Sequence, residues 1–217
     1  MNCRIRPYKR RIYTSNNSFN GWKFVASINL KHINMETKTA GNASAQTEKI
    51  PVQSNRMYAL IVLYDMHTKF FANVIDGISD KDAHNRLNTK ANHIAWLTGT
   101  LVHERFELVR AFAKNPDNSN MENPKSKELF KDHKGIQDNV NYPTLAEFKK
   151  DWDTISPVLR KALVNAGDEQ LNSMFEMPGE VMTNYDLISF MIYREANCIG
   201  QIALWRRLLG YEAMKYQ

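Results

Sequence analysis

Cysteine is nearly absent from this chain, with two residues in 217. Cys3 lies in a basic leading segment, so Cys198 stands alone in the remainder and has no internal disulfide partner. This usage fits a reducing compartment and predicts a cytoplasmic protein. Long apolar runs are also missing. The longest, such as Ala59-Leu60-Ile61-Val62-Leu63-Tyr64, fall far short of the roughly 20 residues that a membrane-spanning helix needs, and no secretory apolar region is present. No membrane partner is therefore expected. Acid is missing from one place: residues 1–34 carry seven basic side chains and no Asp or Glu, hence +7, whereas the whole chain is +6. Everything after position 34 thus carries the difference, −1, and the basic balance is a property of the leading segment alone. A basic chain ordinarily points to a polyanion. Here the body gives no reason to expect a nucleic-acid partner.

That leading segment has three readings. Its Arg-rich, acid-free composition with Ser and Asn fits an organellar transit peptide, and a basic arm fits contact with nucleic acid. The preferred reading is that translation starts at Met35, since Ser27 to Asn34 has no apolar period and Met35-Glu36-Thr37-Lys38 resembles an ordinary polar N-terminus. Residues 1–52 are accordingly expected to be a basic, then polar tail, and residues 53–217 a single domain with a full core.

Strand-like alternation is lacking throughout that domain, and four helical patterns are present. The first spans Ser54 to Ile78, with Leu60, Tyr64, His67, Phe71, Val74 and Ile78 at alternating spacings of four and three. The second runs from near Asn88 to Phe112, with Ile94, Leu97, Leu101, Leu108 and Phe112 on one stripe and Glu104 set among them. A long polar connection follows, with one short helical turn expected between Ser126 and Lys131. Thr144 with Glu147 forms a Thr-x-x-Glu capping box opening the third helix, which carries Leu145, Phe148, Trp152, Ile155, Leu159 and Leu163, is kinked at Pro157 and ends at Gly167. After a loop through Met177-Pro178-Gly179, the fourth runs from about Val181 to Leu209, its stripe being Ile188, Ile192, Glu195, Ile199, Ile202, Arg206 and Leu209. Arg206 and Arg207 stand where they would compensate the negative end of this helix. The expected architecture is all-α, a four-helix bundle with a long connection between helices two and three.

Three stretches carry a resemblance. Arg194-Glu195-Ala196-Asn197-Cys198-Ile199-Gly200-Gln201 is similar to the His-x-x-x-His-x-Gly-Gln pattern on the last helix of the DinB-like four-helix-bundle family. Asn92 to Leu101, with Trp96, Gly99 and Leu101, resembles that family's second-helix motif, and Tyr142-Pro143-Thr144-Leu145 matches the start of its third helix. The resemblance covers about residues 54–211 and implies up-down-down-up helix order. It also implies three metal-ligand positions, which fall here on Thr100, Arg194 and Cys198. Thr is a poor ligand, Arg keeps its proton, and one Cys cannot hold a divalent ion alone. No metal cofactor is therefore expected, even with His103, Glu104 and Glu195 nearby. Trp96, His103, Glu104, Glu195 and Gln201 are the expected neighbours of the altered site.

Buried acids are seldom left alone, so Arg194 is expected to pair with Glu104 or Glu195. His67, on an apolar stripe, is expected to be a hydrogen-bonded core residue. Metal-bearing relatives include thiol-dependent transferases, so the resemblance implies small-molecule binding or a degenerate transferase that has lost the metal. Two alternatives stay open: metal-independent thiol chemistry at Cys198, whose thiol a nearby cation would activate, and a homodimeric bundle with no catalysis.

Overall fold

The computed structural model describes residues 50–112, 124–177 and 179–216. The leading segment and the polar run Asn115 to Asn120 lie outside the described residues. Seven α-helices and one two-stranded antiparallel sheet make up the described architecture, in the order α1 (Met57–Ile75), α2 (Asp80–Ala83), α3 (Ile94–Phe112), α4 (Lys127–Phe130), α5 (Leu145–Val164), α6 (Asp168–Asn172), β1 (Met174–Met177), β2 (Glu180–Thr183) and α7 (Asn184–Leu208). The described residues are mostly helical, and no helix among them is long and apolar enough to cross a membrane.

Each of the four long helices packs against two others: α1 against α5 and α7, and α3 against α5 and α7. The stripes expected from spacing face inward. Tyr64, His67, Phe71 and Val74 of α1, Leu97 and Leu101 of α3, Phe148, Trp152 and Leu159 of α5, and Ile188, Ile199 and Ile202 of α7 are all buried. Phe71 and Trp152 stack at the centre with ring centroids 4.0 Å apart. Contacts along α1 and α7 rise together, since Arg56 lies over Tyr185, His67 meets Glu195, and Val74 accepts from Arg206. Along α1 and α5 they run in opposite senses, from Gln53 with Val164 to Thr68 with Trp152.

Several boundaries differ from the sequence expectation. α3 begins at Ile94, because the ring of His93 caps it, Nδ1 accepting from the Trp96 amide at 3.0 Å. Leu87 and Asn88 before it have positive φ, which no helix accommodates. Burial, then the neighbouring His84, holds His93 down to about 4, so the cap works in its neutral form. α5 opens on the expected capping box, Thr144 Oγ1 accepting from the Glu147 amide and Glu147 returning the bond to the Thr144 amide. It runs through Pro157 and stops at Val164, and Gly167 instead precedes α6.

Where a loop and the first turn of the last helix were expected, the chain forms a hairpin, Met174 to Met177 paired with Glu180 to Thr183 around Gly179 at φ +89°. A second capping box, Thr183 with Asp186, starts α7 at Asn184. Arg206 stands in the last turn of α7, as expected, and also reaches beyond its own helix. It is buried and donates to the carbonyls of Val74 and Asp76 at the end of α1 and of Glu212 in the C-terminal segment, fastening three segments together.

The crossing between α3 and α5 is anchored by one aromatic ring. Phe130 of α4 is buried, with ring centroids 5.8 Å from Tyr142 and 6.3 Å from Phe148. Gly99 makes room for it. A methyl carbon on Gly99 would sit 2.6 Å from Cζ of Phe148 and closer still to Phe130.

Candidate functional site

Between α3 and α7 two arginine–glutamate pairs stand side by side, with their partners exchanged. Glu104 of α3 pairs with Arg194 of α7, and Arg105 of α3 pairs with Glu195 of α7.

The inner pair is closed on all sides. Arg105 meets Glu195 as a two-pronged fork, Nε to Oε1 at 2.6 Å and Nη2 to Oε2 at 2.9 Å. Its remaining terminal nitrogen donates to Ser156 Oγ at 2.6 Å and Thr68 Oγ1 at 3.0 Å. The guanidinium carbon lies 3.4 Å from the Trp152 ring centroid and 4.0 Å from that of Tyr64, so aromatic faces cover the charge. Tyr64 in turn donates to the Ser156 carbonyl. His67 Nδ1 stands 3.3 Å from Glu195 Oε2, which makes it the hydrogen-bonded core histidine expected from its stripe. Burial works to raise Glu195, but the Arg105 charge and the bond to His67 outweigh it and hold the carboxylate below the ordinary value.

The outer pair is incomplete. Arg194 Nη2 meets Glu104 Oε1 at 2.5 Å, with the Arg194 side chain 34% exposed and Glu104 12%. Glu104 Oε2 and Arg194 Nε are buried without a hydrogen-bond partner among the described residues. Thr100, one turn earlier on α3, favours the charged form of the same carboxyl. Burial pushes Glu104 up to about 6, against the opposing pull of Arg194. Cys198, one turn beyond Arg194, feels both charges and is itself buried. Burial and then Glu104 push its thiol up to about 11. A thiol so placed stays protonated at neutral pH, opposite to what nucleophilic chemistry requires.

Thr100, Arg194 and Cys198 therefore all act on Glu104 or respond to it. Arg194 takes Glu104, one of the two partners expected for it, and Glu195 belongs to Arg105. Trp96 is half-buried, its ring 6.4 Å from Phe130, and its Nε1 has no partner among the described residues. His103 stacks on Phe130 at 6.0 Å and lies on the α4 side of α3. Gln201 is exposed and donates to Asn197 Oδ1 at 2.6 Å.

Arg105 was missed. It stands four residues after Leu101 and three before Leu108, so the apolar stripe itself placed it inward; a charged residue so placed asks for a partner on a facing helix. Among the described residues no group of three or more His, Cys, Asp or Glu is arranged to hold a metal ion. No protein-family model, curated protein or solved structure matches the chain.

Proposed function

We propose that this chain is a DinB-like four-helix bundle in up-down-down-up order, with a polar pair in place of the family's metal, and that it binds a small molecule there. Contacts rising together along α1 and α7, and opposed along α1 and α5, support the helix order. The observation that carries the site is the gathering of Thr100, Arg194 and Cys198 about the buried carboxyl of Glu104. Thiol chemistry at Cys198 loses ground to the raised thiol.

The geometric part is tested by building the metal site. The change Thr100→His, Arg194→His and Cys198→His should create a site binding one zinc ion, since three neutral imidazoles with a water are a competent set. Bound metal should then raise the melting temperature by mass action. A folded triple variant that takes up no zinc would show that these positions do not converge. The functional part is tested by a fragment screen read by NMR: hits should shift signals of Thr100, Glu104 and Arg194, and a screen without such hits would refute the site.

One observation favours pairing between copies as well. Tyr58, Val62 and Met66 are exposed at four-residue spacing on α1, and Phe190, Tyr193, Leu204 and Leu208 are exposed on the neighbouring α7. Sedimentation equilibrium should give a dimer mass that Met66→Glu with Leu204→Glu reduces to the monomer. A wild-type monomer would remove this reading.

A further inference from the structure

The outer pair has a defined chemical deficit. Arg194 touches one carboxylate oxygen through Nη2 only, which leaves a donor, Nε–H, and an acceptor, Glu104 Oε2, both buried and both without a partner among the described residues. Leaving such atoms unmade costs the full desolvation of each group. In the inner pair the equivalent atoms are joined to each other. The charges nearby cancel, because Glu104 is set against Arg194 and Glu195 against Arg105. A bound cation would face the Arg194 guanidinium, and a bound anion the Glu104 carboxylate, so net charge of either sign meets a like charge. A neutral group carrying one acceptor beside one donor meets neither.

We propose that the small molecule bound at this pair is a neutral, planar carboxamide or lactam, its carbonyl accepting from Arg194 Nε and its N–H donating to Glu104 Oε2. The inference rests on the reading of this face as a small-molecule site. Trp96, two turns before Glu104 on α3, has a half-buried ring and a buried N–H without a partner among the described residues. Cys198, protonated and buried, offers a small uncharged wall beside the pair.

Three isosteric probes separate the possibilities: benzamide, benzoate and benzamidine, which are neutral, anionic and cationic at neutral pH. Each is titrated into the full chain while the Arg194 Nε–H signal is followed by 1H–15N NMR. Benzamide should saturate the shift about tenfold more tightly than either charged probe, the difference expected when a hydrogen-bonded group meets like charge. Glu104→Gln should weaken benzamide about tenfold by replacing the charged acceptor. Arg194→Gln, a second variant that keeps a polar side chain, should do the same when followed on the backbone amide signals of Thr100 and Glu104, since it has no Nε–H of its own, with thermal melts confirming that both are folded. Benzoate or benzamidine binding as tightly as benzamide would overturn the neutral-amide inference and leave the site standing. Absence of any shift with all three would overturn the inference as well, and the fragment screen then decides separately whether the face binds small molecules at all.

Discussion

The two arginine–glutamate pairs join the same helices, one residue apart on each, and differ in almost everything that follows from closure. In the inner pair every charged atom that makes the fork is matched, and Tyr64, Trp152, Thr68 and Ser156 complete the shell. In the outer pair a single contact joins the partners, a third of Arg194 reaches solvent, and two buried atoms are unmatched. A satisfied buried network fixes register and specifies one packing, whereas a half-satisfied one is an opening for another molecule. The same two residue types form a closed network at one position and an open pair at the next, and what separates them is the neighbours supplied by α1 and α5.

The comparison breaks most readily at the inner pair. Arg105→Ala strands Glu195 in the core and should cost about 3–5 kcal/mol in chemical denaturation. Replacing both partners, Arg105→Met with Glu195→Met, should cost clearly less than the single change, because no buried charge is then left alone. A single change within experimental error of wild type would mean that the fork contributes nothing to stability.

Gly99→Ala comes next, at about 1–3 kcal/mol, because the new methyl must displace both Phe130 and Phe148. Its effect should be one-sided. Fluorescence and NMR signals of Trp96 and His103, which face Phe130, should change, while those of Trp152 in the inner shell stay put. Equal disturbance of both sides would show that the two pairs are not separate environments.

Arg194→Ala should cost only about 1 kcal/mol, near the range of exposed pairs, since its side chain is already one-third in solvent and Glu104 can take up a proton. A loss as large as that of Arg105→Ala would erase the distinction between the pairs.

What could be read from the sequence followed the range of the interactions involved. The Thr144–Glu147 box is local, and its four residues carry the whole signal. The inward stripes of the long helices were equally legible, because spacing alone places them. Thr183–Asp186 offered a similar box, but the apolar period extended back to Val181 hid it, and strands of four residues are too short to show alternation. Thr100, Arg194 and Cys198 were singled out by family resemblance alone, whereas the Arg105 fork depends on Thr68, Tyr64 and Ser156, which only the packing of three helices brings together. Gly99 was visible as part of a motif. Its reason, the rings of Phe130 and Phe148 from elements 31 and 49 residues further along the chain, was not.

The subtlest test uses pH, because the two carboxyls should respond in opposite directions. Glu104 rises from an ordinary 4.5 to about 6 on folding, so its contribution to stability is full below pH 4.5 and is lost as pH rises through 6. Glu195 is held below 4.5, so its contribution is present above 4.5 and is lost as pH falls through its lower folded value. His93, drawn down from 6.5 to about 4, acts in the same sense as Glu195, losing its contribution as pH falls through that window. Subtracting the denaturation midpoints of Glu104→Gln from those of the wild type removes the shared terms. The remainder should show the wild type losing stability relative to the variant between pH 4.5 and 6, with the Glu104 carboxyl carbon titrating near 6 by NMR. A flat difference, or one of opposite sign, would mean that Arg194 holds Glu104 ionised as firmly as Arg105 holds Glu195, and that the outer pair is as closed as the inner.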